Sequence, residues 1–114
     1  MIIDIYFFIN KMSHSVLASW FDDKIGYKNN NLYDGGLYYA ELSKDYKKKD
    51  FSFGTLPYGQ KLKITYKGKS CIASKGDEKP FSPSRPKISL HINLAKALGF
   101  DLNKELDYVT IQKF

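Results

Sequence analysis

Residues 61–69, KLKITYKGK, constrain the fold more than any other segment. Leu62, Ile64 and Tyr66 alternate with Lys61, Lys63, Thr65 and Lys67. As a strand, this segment carries an apolar row on one face and a basic row on the other. It therefore needs a sheet with one face over a core. Leu56-Pro57-Tyr58-Gly59 reads as a turn into this strand, and Lys67-Gly68-Lys69 as a tight turn out of it. A second strand is expected at residues 70–74, followed by a polar loop holding Asp77. Residues 79–86 contain Pro80, Pro83 and Pro86 and read as loop. A short strand follows at residues 87–90. The period then changes: Leu90, Leu94 and Leu98 stand four apart with Ala95 and Ala97 between them, and Gly99 is placed to cap a two-turn helix. Residues 108–112 close the chain as a strand.

Upstream, Asn29-Asn30-Asn31 and Asp34-Gly35-Gly36 mark a turn-rich loop. Residues 38–42 fit a strand or a helical turn. Residues 43–50, with Lys47-Lys48-Lys49, read as a solvated, charged excursion. Many short strands and one short helix predict an all-β chain closed into a small barrel.

Bulk properties set limits on partners. The 114 residues suit one small domain, and 43% hydrophobic with 16% aromatic content supplies a core. No repeat or linker divides the chain. The formal charge is +6, and every basic residue except Arg85 is lysine. Bidentate reading of phosphates and bases favours arginine, so the charge suits diffuse attraction to an anionic surface and makes nucleic acid an unfavoured partner. The single cysteine, Cys71, excludes an internal disulfide and a thiolate cluster, and the strand SCIAS gives it the role of a small apolar residue. Neither metal nor cofactor is expected. MIIDIYFFIN is apolar, but it lacks a basic lead and a cleavage site and is too short to cross a bilayer. Residues 1–17 are expected to be an extension or an additional strand, with Met12 an alternative start, and residues 18–114 the main domain.

Several segments, in order, resemble the double-psi β-barrel domains of rare lipoprotein A, expansins and barwin-like proteins. Ala18-Ser19-Trp20-Phe21 is similar to their aromatic opening strand, and Tyr39-Ala40-Glu41-Leu42-Ser43 to an "AALS"-type segment. Leu56-Pro57-Tyr58-Gly59 followed by Leu62-Lys63-Ile64-Thr65 resembles the family's "LPFG…VRVT" hairpin. Residues 72–80 stand where the family has "V-x-I-N-D-R-G-P". Ile88-Ser89-Leu90-His91 and residues 95–99 stand where it has "I-D-L-S…A-x-x-L-G". The resemblance spans residues 18–112. It implies a six-stranded, pseudo-symmetric barrel with a groove, and polysaccharide as the ligand class. Rare lipoprotein A relatives cleave peptidoglycan glycan strands, whereas expansins loosen walls without ordinary hydrolysis.

Glycan cleavage needs an acid for the leaving oxygen and commonly a second carboxylate. By resemblance, Asp77 matches the acid of D-R-G-P, whose Arg and Gly are replaced by Glu78 and Lys79. The second acid of D-L-S is replaced by Ser89. His91, two residues on, shares a face with Ser89 in an extended segment. Asp77, His91 and Glu78 are thus the catalytic candidates. Structural roles compete with catalysis: a turn or an ion pair with Lys75 or Lys79 for Asp77, and a helix start for His91. Trp20, Phe21, Tyr38 and Tyr39 are candidate sugar-stacking residues, alongside Tyr27 and Tyr33, although the same rings suit a core. Lys61 and Lys63 are candidate contacts to an anionic polymer. Three functions follow. The first is a non-catalytic or weakly catalytic module binding peptidoglycan or another anionic polysaccharide. The second is a lytic-transglycosylase-like enzyme using Asp77. The third is a structural protein with protein partners, such as a virion component, which the lack of an export signal fits.

Overall fold

A computed structural model describes residues 13–48, 50–80 and 86–114. The strands are β1 (Ser13–Phe21), β2 (Tyr38–Asp45), β3 (Asp50–Phe51), β4 (Lys61–Tyr66), β5 (Lys69–Pro80), β6 (Ile88–His91) and β7 (Asp107–Lys113), with helix α1 (Ile92–Leu98) between β6 and β7. Their order is β2-β5-β4-β7-β1-β6, and a further β2–β6 pairing closes the ring, with β3 attached outside it on β2. Pairs β1–β6 and β2–β5 are parallel and the other ring pairs antiparallel. This is the expected six-stranded double-psi β-barrel. Closure leaves no free edge in the ring.

The alternation in β4 holds: Leu62, Ile64 and Tyr66 are buried while Lys61 and Lys63 are exposed. Leu62, Ile64, Tyr66, Ala73, Leu90, Val109 and Ile111 fill the barrel, and Leu94, Ala95 and Leu98 of α1 pack onto the same core. α1 is only two turns long, so this packing holds it in place. Gly99 ends it, its N–H donating to the Lys96 carbonyl at 3.0 Å. Cys71 is half-buried against the core, and burial pushes its thiol up.

Several boundaries differ from expectation. β5 does not stop at Ser74 but runs to Pro80, because its second half pairs in parallel with β2. Asp77 and Glu78 therefore sit on a strand and not in a polar loop. β2 likewise carries strand structure to Asp45, into the stretch expected to be a charged excursion. β1 spans Ser13–Phe21 and so runs across residues 17 and 18. Residues 1–12, Lys49 and residues 81–85 of the proline-rich loop lie outside the described residues.

An irregularity in β5 sets the site. Tyr39 pairs with Lys75 but Ala40 pairs with Asp77, leaving Gly76 as an extra residue. Residues three apart in an unbroken strand point to opposite faces; the bulge puts Lys75 and Glu78 on the same one. A Cβ on Gly76 would crowd Leu32 Cδ2 and Tyr38 Cδ1, each at 3.0 Å. A Cβ on the facing Gly26 would meet the Gly76 carbonyl oxygen at 2.4 Å, a clash with backbone.

Candidate functional site

Lys75 organises the inner side of the bulge. Its side chain is fully buried, and its ammonium uses all three donors: to Glu41 Oε1 at 2.8 Å, Glu78 Oε2 at 2.8 Å and the Leu56 carbonyl at 2.6 Å. Glu41, also fully buried, accepts the Leu56 N–H through the same Oε1 at 2.9 Å. Its Oε2 is buried with no hydrogen-bond partner among the described residues. Leu56 is thereby held by both backbone groups. Downstream, the Gly59 N–H donates to the Lys75 carbonyl at 3.0 Å, and Tyr39 Oη donates to the Gln60 carbonyl at 2.9 Å. The turn between them closes with a Gln60 N–H to Pro57 carbonyl bond of 3.0 Å, and Gly59 supplies the positive φ of 83° that such a turn needs at its third position. A buried ion-pair cluster thus fixes the turn that presents Tyr58.

Tyr58 forms one wall of an open polar pocket of about 460 Å³. Asn30, Asn31 and Asp34 line it from the loop between β1 and β2, and Tyr38 and Ser74 from the sheet. Tyr27 lies face to face on Tyr58, with ring centres 3.7 Å apart, and the Lys75 ammonium is 4.8 Å from the Tyr58 ring. Tyr38 Oη donates to Asp34 Oδ2 at 2.6 Å, and the Gly36 N–H donates to Oδ1 at 2.8 Å. These two donors, Tyr38 first, hold the Asp34 carboxyl below its usual value, and the same bond pushes the Tyr38 phenol up. Asp34 therefore adds stability above the usual carboxylate range, and that contribution is lost as pH falls through its lowered value. Tyr38→Phe should move the Asp34 midpoint up toward that of a free aspartate in a carboxyl-detected NMR titration. An unmoved midpoint would remove Tyr38 as the cause.

Of the catalytic candidates, Asp77 and His91 lie on the outer face of the sheet, beneath the β1–β2 loop, and Glu78 lies on the inner face. Asp77, Ala40, Ser89 and Ser19 form one row across β5, β2, β6 and β1. The family's two acid positions thus share a row with one strand between them, roughly 10 Å apart at the backbone. Ser89 is buried and accepts a bond from Ser19 Oγ at 2.9 Å. Asp77 Oδ1 accepts the Glu78 N–H at 2.9 Å, and Oδ2 lies 3.7 Å from the Lys79 ammonium. Lys79, not Lys75, is therefore its ion-pair partner, and Lys79 also pairs with Asp23. Glu78 faces inward to Lys75, away from Asp77. His91 is fully buried: Nε2 lies 2.9 Å from the Asp23 carbonyl, and Nδ1 accepts the Asn93 N–H at 3.4 Å. Phe21 and Tyr33 meet its ring edge-on at 5.3 and 4.8 Å. Among the described residues Asp77 and His91 are linked through Lys79, which meets both Asp23 and Phe21 beside the His91 ring.

The ligand-binding candidates divide. Tyr38 lines the polar pocket, and Lys61 continues its row through Ser74 on the exposed outer face. Lys63 is exposed one row further along β4. Trp20 packs, half-buried, against the core. Phe21 is half-buried between His91 and the Lys79 ammonium, which lies 4.8 Å from its ring. Tyr39 is fully buried and belongs to the core, where burial pushes its phenol up strongly. Asn30, Asn31, Asp34 and Tyr58 were readable only as turn residues, because nothing local shows that two distant turns face each other. Among the described residues, no group of three His, Cys, Asp or Glu is placed to hold a metal ion, and no helix is long and apolar enough to cross a membrane.

No family model matches the chain, and no curated protein sequence matches it. Solved structures similar in fold include an inhibitor and an expansin. The Streptomyces papain inhibitor superposes with a TM-score of 0.58 at 15% identity, covering 89% of this chain and 93% of the inhibitor. The apo expansin of Clavibacter michiganensis superposes with a TM-score of 0.62 at 15% identity, covering 90% of this chain and 50% of the expansin. The chain thus spans half the expansin's length, and at this identity the likeness is one of fold.

Proposed function

We propose that this chain is a glycan-binding double-psi barrel module directed at cell-wall peptidoglycan, binding the polymer without cleaving it. The observation that carries the reading is the open pocket walled by Tyr38 and Tyr58 and edged by Asn30, Asn31 and Asp34. Short polar side chains beside tyrosines suit a sugar: the Tyr38 ring covers its apolar face, the edge of Tyr58 bounds it, and the amides and carboxylate meet its hydroxyls. The lysines at 61 and 63 extend the outer face toward an anionic polymer. The fold shared with an expansin is compatible with this ligand class.

The acid positions support the non-cleaving reading. Asp77 is engaged by the Glu78 N–H and the Lys79 ammonium, and the position of the second acid holds Ser89. Ser89 holds no proton-transfer group of the kind required. His91 and Glu78 are turned into the protein. Purified protein should be retained on isolated sacculi at low salt, released as salt rises, and yield no soluble muropeptides. Tyr58→Ala should weaken retention about three- to tenfold, the range for one aromatic contact, while Asp77→Asn should leave it unchanged. No retention at low salt would sink the wall-binding reading. Muropeptide release abolished by Asp77→Asn would replace it with the enzyme.

A further inference from the structure

A second cavity, of about 520 Å³, opens where β1 begins and β7 ends, and it shares no lining residue with the polar pocket. Its walls are apolar: Val16, Leu62 and Ile111 from the strands, Phe53 and Leu56 from the segment before β4. Two rows of the sheet run out into it. Ile64, Ile111 and His14 are successive partners across β4, β7 and β1, and Leu62 pairs with Lys113. Partners in one row point to the same face. Ile64, Ile111 and Leu62 are buried in the barrel, so His14 and Lys113 stand on its interior face, at the strand ends where the interior opens. Inward positions at a barrel mouth are expected to be apolar; here they are an imidazole and an ammonium. No carboxylate pairs with Lys113 among the described residues.

We propose that this mouth is a binding site for an apolar molecule ending in a carboxylate, such as a medium-chain fatty acid. Barrel mouths of this volume, lined by apolar side chains with a few polar groups, are suited to small ligands. Water against five apolar side chains makes few hydrogen bonds and is readily displaced by a hydrocarbon chain. Charge chooses the head group: Lys113 and the His14 ring offer donors and no acceptor carboxylate, so an acid is favoured over an alcohol or an ammonium.

The test is calorimetric titration of the full chain with sodium octanoate, 1-octanol and octyltrimethylammonium, each below its aggregation limit. Octanoate should bind saturably at one site and more tightly than either of the others. Lys113→Glu changes an exposed side chain and should keep the parent circular dichroism. It should weaken octanoate about fivefold, the upper range for one exposed ion pair, and improve octyltrimethylammonium. Leu56→Trp, filling the cavity from its exposed side, should abolish all three. Equal affinity for octanoate and octyltrimethylammonium, or octanoate binding unchanged by Lys113→Glu, would overturn the proposal. So would the absence of octanoate heat together with a sedimenting mass that Lys113→Glu alters, since the mouth would then be a contact between copies of the chain.

Discussion

Replacing Lys75 with methionine is expected to lower the free energy of unfolding by about 3–5 kcal/mol, the usual cost of removing one partner from a buried ion pair, read as a fall in the urea midpoint. The ammonium satisfies three acceptors at 2.6–2.8 Å, and two of them are carboxylates. Without it Glu41 keeps the Leu56 N–H but remains a buried charge with no cation beside it. Methionine fills much of the space, so the loss reports charge and hydrogen bonding more than volume. Adding Glu41→Gln to Lys75→Met should recover a large part of the deficit, because the amide still accepts the Leu56 N–H and carries no charge. A double variant as unstable as the sum of the two single variants would show that the two groups act independently. Because Leu56 anchors the turn bearing Tyr58, Lys75→Met should also weaken sacculus retention below the midpoint, when the protein is still folded. Undiminished retention would separate the ion-pair cluster from the polar pocket.

The barrel was legible in the sequence wherever a short-range pattern decides structure. The alternation of residues 61–67, the turns at Gly59 and Gly68 and the period change at Ile92 depend only on neighbours, and each gives the expected element. What failed depended on residues far away in the chain. KGDEKP reads as loop because it is polar; it is strand because β2 pairs with it and Lys75 and Glu78 turn inward to a buried ion-pair cluster. The pairing of Lys75 with Glu78 was hidden for the same reason, since a spacing of three on one face arises only with a bulge at Gly76. The two walls of the polar pocket come from turns that the sequence places nearly thirty residues apart. Tyr38 and Tyr39 show the limit most plainly. They are chemically identical neighbours, and the pleat sends one to the pocket and the other to the core.

His91→Ala should destabilise the chain by about 3 kcal/mol, within the range for truncating a large buried ring, and it should change no glycan chemistry. The ring is enclosed on two sides by Phe21 and Tyr33. Since Nδ1 accepts from Asn93, the proton is on Nε2 and is donated to the Asp23 carbonyl. That proton points at backbone in the interior, whereas a general acid must aim it at a ligand. Nδ1 meanwhile serves as the N-cap of α1. The role is therefore to tie three pieces together: the end of β6, the start of α1 and the loop after β1. His91→Asn tests the division, because asparagine is a good N-cap but cannot fill the ring's space. It should recover about 1 kcal/mol relative to alanine, the typical worth of a cap, and leave the rest of the loss in place. Full recovery would mean that the ring contacts contribute nothing. A folded His91→Asn variant that had lost a muropeptide-releasing activity present in the parent would move His91 from the scaffold to the chemistry.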